Sequence, residues 1–258
     1  MNDSLAVTCS GLKKTFRSGT TFVDLLRGRL RGRSIAAVNG LDLEVRRGEI
    51  VGVVGENGAG KSTLLRLIAA LLVADSGELD VLGVSARSAG PSFRQRVSYV
   101  VSDERSFSWR LTGRQNLDFF AALYALDGAA AKRRIDEALE RMALSADADR
   151  PVREYSTGMK SRLAFARGLL GSPELWLFDE PTRGMDPASG ARIRQLVRDE
   201  LVGKKKRHTA ILASHDLTEI EELCDRVVLL QKGQIRGSGS PMEARALLGV
   251  AEAKRVGS

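Results

Sequence analysis

A glycine-rich segment that follows a short apolar run limits what this chain of 258 residues can fold into. Residues 55–63 read GENGAGKST and satisfy the phosphate-loop pattern G-x-x-x-x-G-K-[ST]. The run before it, IVGVV at residues 50–54, is nearly continuously apolar, as in a strand that is covered on both faces. Residues 61–72 predict a helix directly after the loop. Strands that alternate with helices in this way predict an α/β domain with a mostly parallel sheet.

The loop predicts a binding site for the phosphates of ATP. Its glycines let backbone N–H groups converge on phosphate oxygens, and the following helix directs its positive end at the same anion. Lys61 supplies a positive charge and is also expected to take part in catalysis, while the Ser62 hydroxyl can ligate Mg²⁺. The residues predicted to bind the nucleotide are those of the whole loop: Gly55, Glu56, Asn57, Gly58, Ala59, Gly60, Lys61, Ser62 and Thr63.

The composition argues against several other classes of protein. Hydrophobic residues make up 43% and charged residues 28%, which is ordinary for a globular domain. Two cysteines, Cys9 and Cys224, are too few for a disulfide framework, and the N-terminal residues lack the apolar segment of a signal peptide. The longest apolar run, residues 64–74, has 11 residues and contains Arg66, whereas a membrane span needs about 20 apolar residues. We expect this run to form a buried helix.

Two carboxylates, Asp179 and Glu180, directly follow the apolar run LWLF. A carboxylate at the carboxyl end of a buried parallel strand lies beside the phosphate loop of such a sheet. We therefore predict that Asp179 binds Mg²⁺, directly or through water, and that Glu180 is the general base that polarises the attacking water. A solvated acidic pair at a strand end is common, and the phosphate loop upstream is what favours the catalytic interpretation.

A third motif narrows the family. Residues 155–163 read YSTGMKSRL, before a predicted helix and upstream of the carboxylates. This segment resembles the signature of ABC ATPases, whose usual form is LSGGQ, with Ser156 and Gly158 at the signature serine and second glycine. Two further landmarks follow in the family's order. The segment TRGMDP resembles the D-loop, with Asp186 as its aspartate, and His215 follows a predicted strand as the switch histidine does.

The resemblance covers about residues 5–240 and implies a fold. That fold is a P-loop NTPase core of the ABC ATPase type, with a mostly parallel sheet, an antiparallel β subdomain and an inserted helical subdomain. The ATPase domain would span residues 1–240, with the helical subdomain at about residues 110–170. Residues 241–258 would form a short C-terminal helix or tail.

The resemblance also implies how such a chain works. ATP and Mg²⁺ are the expected cofactors, and the expected unit is a head-to-tail homodimer. In that homodimer the signature of one copy closes over the ATP held by the phosphate loop of the other. An aromatic residue near the N-terminus usually stacks on adenine in this family. Phe16 is the first candidate and Phe22 the second, and a core position is an equal alternative for each.

The chain departs from the family pattern in two places. Ser102 stands where the family has a glutamine, and we expect its hydroxyl to contact Mg²⁺, with Asp103 or a water as the alternative ligand. The same loop contacts the membrane subunit in the family, so Phe107 and Trp109 are either docking residues or core residues. Met159 replaces the signature glutamine.

These details resemble exporters more than importers. The segment YSTGM followed by RL is similar to ATPases of ABC-2 type exporters of polysaccharides and teichoic acids, whereas DEPTRGMDP is similar to drug and antibiotic exporters. We therefore expect an ABC-2 type transmembrane permease as a separate partner and peripheral attachment at the cytoplasmic face of the inner membrane. The expected cargo is a polysaccharide, a glycolipid or a hydrophobic drug.

The charge of the chain leaves two alternatives open. The formal net charge is +8, and residues 13–33 carry seven basic residues against one acid. This stretch would suit a segment lying on anionic lipid, or equally a solvated loop. The charge also permits an ABC ATPase that acts on nucleic acid or the ribosome. Such proteins carry long coiled-coil insertions or a second cassette, both missing here, so we expect no nucleic acid partner. A regulatory module that has lost hydrolysis is a third possibility, which Glu180 and His215 disfavour.

Overall fold

A mostly parallel sheet forms the centre of the structure, a computed structural model that describes residues 4–17, 34–101, 106–201, 208–246 and 248–249. Within these ranges six strands are hydrogen-bonded in the order β10-β9-β3-β8-β7-β6. The pairs among β9, β3, β8, β7 and β6 are parallel, and β10 pairs antiparallel to β9. The strands are β3 (Ile50–Val54), β6 (Val97–Val101), β7 (Leu175–Asp179), β8 (Thr209–Ala213), β9 (Arg226–Gln231) and β10 (Gln234–Gly239). The predicted α/β fold class is confirmed.

A second, antiparallel sheet packs beside the first. In the described ranges its order is β2-β1-β4-β5, with strands β1 (Leu5–Arg17), β2 (Ser34–Arg46), β4 (Ser76–Val81) and β5 (Val84–Ser85). β1 and β2 have 13 residues each, and exposed positions are interspersed with buried ones, so only part of each strand is buried. β4 and β5 were not predicted.

The first helix, α1 (Lys61–Ile68), ends earlier than the sequence predicts. Ala70 has a φ of 53°, and Leu71 N–H donates to Arg66 O at 2.9 Å while Ala70 N–H donates to Leu67 O at 2.9 Å. This pair of bonds is the Schellman ending of a helix, with alanine in the position that glycine usually takes. Leu71 and Val73 are 57% and 64% exposed, so the prediction of one buried helix over residues 64–74 was wrong.

After α1, the described helices lie in three places: one directly precedes β6, three lie between β6 and β7, and two flank β8. They are α2 (Pro91–Arg96), α3 (Gly113–Leu123), α4 (Gly128–Arg141), α5 (Thr157–Leu169), α6 (Pro187–Leu201) and α7 (Leu217–Leu223). α3 begins with a capping box, because the Thr112 hydroxyl accepts from Gln115 N–H and the Gln115 side chain accepts from Thr112 N–H. α3, α4 and α5 bury Leu117, Ile135 and Leu163 in a common core.

Phe107 and Trp109 have different surroundings. Phe107 is buried, with its ring 6.0 Å from the Phe120 ring in an edge-to-face pair and 5.3 Å from the Arg167 guanidinium. Trp109 is 60% exposed. Phe107 is therefore a core residue, and only Trp109 is accessible to a partner.

Several predictions fall outside the described residues. These are Ser102 with Asp103, the basic segment at residues 18–33 with Phe22, and residues 250–258 of the tail. The described part of the tail begins with a single helical turn, Pro241–Glu243. No helix in the described ranges has both the length and the apolar character needed to cross a membrane.

Candidate functional site

The phosphate loop is fixed against two neighbouring strands. Gly55 has a φ of 154°, and a Cβ there would lie 2.2 Å from Leu230 O of β9. Gly60 caps α1 with a φ of 110°, and a Cβ there would lie 2.1 Å from Ala37 O of β2. Because no side chain fits at either position, these two glycines let the loop approach both strands closely.

Lys61 reaches back across the loop. Its Nζ donates to the carbonyl oxygens of Gly55 at 2.7 Å and Glu56 at 3.1 Å. Burial lowers the pKa of this ammonium, and the nearby Glu180 and Asp179 carboxylates oppose the decrease. The positive charge is thus held at the concave side of the loop, where it can neutralise phosphate.

Asp179 ends β7 next to the loop, as predicted. Its Oδ1 accepts from the Ser62 hydroxyl at 2.8 Å, and its Oδ2 accepts from the Tyr99 hydroxyl at 2.7 Å. Burial, reinforced by the Asp179 charge, raises the pKa of Tyr99, so this phenol stays a hydrogen-bond donor. Mg²⁺ prefers oxygen ligands. The Ser62 hydroxyl oxygen and the Asp179 carboxylate oxygen lie within hydrogen-bond distance of each other, so these two residues fit this ion.

Glu180 lies between His215 and Arg183 at the start of the next loop. Its Oε1 is 3.5 Å from His215 Nδ1, and its Oε2 is 3.3 Å from an Arg183 guanidinium nitrogen. Its φ is 50°, an uncommon value for a residue other than glycine, and its N–H donates to Ala213 O at 2.8 Å. The predicted Glu180 and His215 are therefore brought together, and Arg183 is an addition that was not predicted.

Phe16 lies at the open end of the same site. It is 42% exposed and pairs with Ile35 across β1 and β2. Both side chains line a cleft of about 510 Å³ that also contains Lys61, Ser62 and Glu180. Phe16 is thus a cleft residue, not a core residue, and Ile35 is a second apolar wall that the sequence did not reveal.

Ser156 and Gly158 lie elsewhere on the surface. The Ser156 hydroxyl accepts from Met159 N–H at 3.2 Å and caps α5. Asp186 performs the same role for α6, accepting from Ala188 N–H at 3.1 Å and Ser189 N–H at 3.0 Å. These hydrogen bonds, above all those from Ser189, lower the pKa of Asp186.

Ser156 and Gly158 line a second cleft of about 470 Å³, together with Ser189. This cleft shares no lining residue with the cleft around Lys61. One chain therefore carries both sets of predicted phosphate-binding residues in separate places.

The missed residues differ in how much signal they left in the sequence. Arg183 follows Glu180 by three positions, a spacing that a loop can close, so it could have been proposed. Tyr99 lies in the mostly apolar run VSYVV, and only the pairing of β6 with β7 places it beside Asp179.

A phosphate loop beside a strand-end Asp-Glu pair, together with the signature-like segment at residues 155–163, is the arrangement of an ATPase of the ATP-binding cassette class. The family model described as ABC transporter matches residues 38–183, more than half of the chain. This chain belongs to the ABC transporter family, whose ATP-binding subunits are ATPases coupled to transport.

Curated relatives carry the same cassette. The chain is 34% identical to the ABC transporter ATP-binding protein NatA of Bacillus subtilis over 201 residues, 78% of this chain and 80% of NatA. It is 38% identical to the daunorubicin resistance ATP-binding protein DrrA3 of Streptomyces coeruleorubidus over 213 residues, 83% of this chain and 66% of DrrA3. A fluoroquinolones export ATP-binding protein of Mycobacterium tuberculosis is 39% identical over 209 residues, 81% of this chain and 67% of that protein. The chain thus spans about two thirds of the length of these last two relatives.

Solved structures share the fold. The structure of cbiO1 from Clostridium perfringens, part of the ABC transporter complex cbiONQ, has a TM-score of 0.74 and 26% identity, covering 94% of this chain and 91% of cbiO1. A dimeric post-hydrolysis state of the ATP-binding cassette MJ0796, bound to ADP and Pi, has a TM-score of 0.75 at 23% identity, covering 91% of this chain and 98% of that chain.

Proposed function

We propose that this chain is the ATP-hydrolysing subunit of an ABC-2 type exporter and works as a head-to-tail pair of copies around two ATP molecules. The observation that carries the proposal is the separation of the two clefts. Lys61 and Glu180 line one cleft, and His215 lies 3.5 Å from Glu180, whereas Ser156 and Gly158 line another cleft with no common residue. A second copy placed head to tail would bring its Ser156 to the first cleft.

Each residue of the first cleft has a distinct role in hydrolysis. The loop N–H groups and Lys61 bind the β- and γ-phosphates, and Ser62 with Asp179 would hold Mg²⁺, which would supply positive charge to the phosphates. Phe16 and Ile35 offer apolar surface to the adenine ring.

Glu180 takes a proton from water as the water oxygen bonds to the γ-phosphorus. The bond from that phosphorus to the β,γ-bridging oxygen breaks, and ADP leaves with the electron pair. His215 lies 3.5 Å from Glu180 and orients the carboxylate and the departing phosphate. The positive charge of Arg183 pairs with Glu180 Oε2 on the opposite side.

The second cleft supplies donors to the ATP of the partner copy. Ser156 caps the N-terminal end of a 13-residue helix, where backbone N–H groups and the helix dipole favour an anion. Asp186 lies at the start of α6, close to this end, and would contact the partner at the same junction. Hydrolysis removes the γ-phosphate that both copies bind, and the pair opens.

Export through a separate permease is supported by the relatives and by one surface. Relatives named for daunorubicin resistance and fluoroquinolones export are 38% and 39% identical. Trp109, Phe119 and Leu123 are exposed on the helical stretch after β6, and we assign this surface to the permease. A hydrophobic drug is the favoured cargo, with a glycolipid or polysaccharide as the alternative, and attachment to the membrane is peripheral. If a variant with both Trp109→Ala and Phe119→Ala still co-purifies with its permease, the assignment of this surface to the permease is contradicted.

The test of the central proposal uses Glu180→Gln. This variant keeps the shape of the side chain but cannot accept the proton, so ATP turnover should fall by about 100-fold or more. With ATP and Mg²⁺ the variant should elute as a dimer in size-exclusion chromatography with light scattering. Adding Ser156→Arg should return it to a monomer, because a bulky cation replaces the cap at the shared junction.

Glu222→Gln is the matched control, since Glu222 is an exposed acid paired with Arg194 and Arg198. It should hydrolyse ATP at the wild-type rate. Wild-type turnover by Glu180→Gln, or ATP-driven pairing that survives Ser156→Arg, would refute the proposal.

A further inference from the structure

A buried carboxylate connects the two loops that carry Glu180 and His215. Glu219, in the first turn of α7, is only 1% exposed. One carboxylate oxygen accepts from the Thr182 hydroxyl, and the other accepts from the Ser214 hydroxyl at 2.5 Å. Thr182 follows Glu180 by two positions, and Ser214 directly precedes His215.

The Ser214 hydroxyl continues the connection into the His215 loop. Its oxygen accepts from Asp216 N–H at 2.9 Å while its proton goes to Glu219. A series of hydrogen bonds therefore connects the backbone N–H of Asp216, the residue after His215, through Ser214 and Glu219 to Thr182. The chain of contacts ends two residues from the proposed base.

The free energy of burying the Glu219 carboxylate depends on hydrogen bonds from both loops. Removing a carboxylate from water costs several kcal/mol unless hydrogen bonds replace its hydration. Burial raises the pKa of Glu219, and the Ser214 and Thr182 hydroxyls oppose the rise. Both hydroxyls reach the carboxylate only when both loops hold the arrangement that also sets the 3.5 Å separation of Glu180 and His215.

We propose that Glu219 is a positioning residue for ATP hydrolysis, which fixes the Glu180 loop relative to the His215 loop. Glu219 is not among the residues that line the Lys61 cleft, and it acts through Thr182 and Ser214. The inference rests on the roles proposed above for Glu180 and His215. It predicts an effect on the chemical step that is separate from nucleotide binding.

Steady-state ATPase assays on Glu219→Ala and Glu219→Gln test the proposal. Loss of the link should lower kcat by about 10- to 100-fold, because small misplacements of catalytic groups cost this much. KM for ATP and the affinity for a fluorescent ADP analogue should stay within about twofold, since Lys61 and the loop are unchanged. Glu219→Gln should recover most of kcat, because its amide oxygen still accepts one hydroxyl and its amide nitrogen can donate to the other. Glu222→Gln, on the same helix but exposed, should behave as wild type.

A double-mutant cycle separates positioning from general stability. Thr182→Val should lower kcat in the wild-type background and have no further effect in Glu219→Ala, because the bond is already lost. Full additivity of the two changes, or a Glu219→Ala kcat within twofold of wild type, would overturn the inference.

The experiments distinguish failure of this inference from failure of the proposed function and from failure of a variant to fold. A wild-type protein without ATPase activity would contradict the proposed function itself. If Glu219→Ala does not fold, then Thr182→Val and Ser214→Ala carry the test, and wild-type kcat in both would overturn the link.

Discussion

The phosphate loop offers a sharp comparison between two of its glycines. Gly58 and Gly60 both have positive φ, 80° and 110°. A Cβ on Gly58 would have no neighbour within 4 Å, whereas a Cβ on Gly60 would lie 2.1 Å from Ala37 O. Gly58→Ala therefore introduces backbone strain alone, and Gly60→Ala introduces the same strain with a collision against backbone.

The collision cannot be relieved cheaply. Ala37 O would need to move by about 1 Å to reach an ordinary contact, and it already lies where a Cβ on Gly233 would be 2.8 Å away. Hydrogen bonds from Gly233 N–H to Ala59 O and from Asn39 N–H to Gly233 O, both 2.9 Å, fix the three segments to each other. Moving Ala37 would strain both bonds.

The expected losses of unfolding free energy follow from the backbone strain and from the collision. A left-handed backbone costs a residue other than glycine about 1–2 kcal/mol, which is the whole effect expected for Gly58→Ala. Overpacking adds about 1–3 kcal/mol for Gly60→Ala. At about 2–4 °C per kcal/mol for a chain of this size, the extra ~1–3 kcal/mol should make Gly60→Ala melt roughly 2–12 °C below Gly58→Ala.

Differential scanning calorimetry of the two variants, with ATP affinity by titration, measures both consequences. Gly60→Ala should also lose ATP binding, because the displaced residue begins α1 beneath the phosphates. If the two variants melt within about 2 °C of each other and bind ATP equally, the packing argument for the loop is refuted.

Two further predictions concern stability. Glu174 pairs with Arg96 at 2.5 Å and Arg47 at 3.0 Å, which lowers its pKa, so its stabilisation exists above the unfolded pKa and disappears as pH falls through the folded one. Urea unfolding at pH 7 should show Glu174→Gln less stable by about 1 kcal/mol, a gap that closes below about pH 4; a constant gap would contradict the pair. Thr112→Ala removes a helix cap shared with Gln115 and should cost about 1 kcal/mol in the same assay, whereas no loss would mean that the cap is already frayed.

Most of the cassette could be predicted from the sequence because the residues that carry its chemistry lie at the ends of strands or in consecutive elements of the chain. A strand, the loop and α1 are consecutive in the chain, so the pattern at residues 55–63 fixes their relative placement. Asp179 and Glu180 could be placed because the end of a buried strand needs no tertiary knowledge beyond the parallel sheet. His215 could be placed for the same reason.

The missed features depend on contacts between distant segments or on rare local geometry. Tyr99 reaches Asp179 only through the pairing of β6 with β7, and Glu219 meets Thr182 across 37 positions of sequence. α1 ends through a left-handed alanine, Ala70, for which no propensity rule gives a signal. The apolar run that continues to residue 74 therefore misled the prediction.

The register of the central sheet accounts for the half of the proposed site that one chain assembles by itself. Asp179 pairs with Ala213 at the ends of β7 and β8, so Glu180 and His215 emerge side by side from adjacent strands. The Ser156 cap begins a helix whose cleft has no residue in common with theirs. The register places Glu180 beside His215 within one chain, so the proposed catalytic pair needs no second copy for its assembly. Under the proposed function, the second copy contributes Ser156 to the ATP, so control of hydrolysis would belong to the pairing of two copies rather than to rearrangement within one.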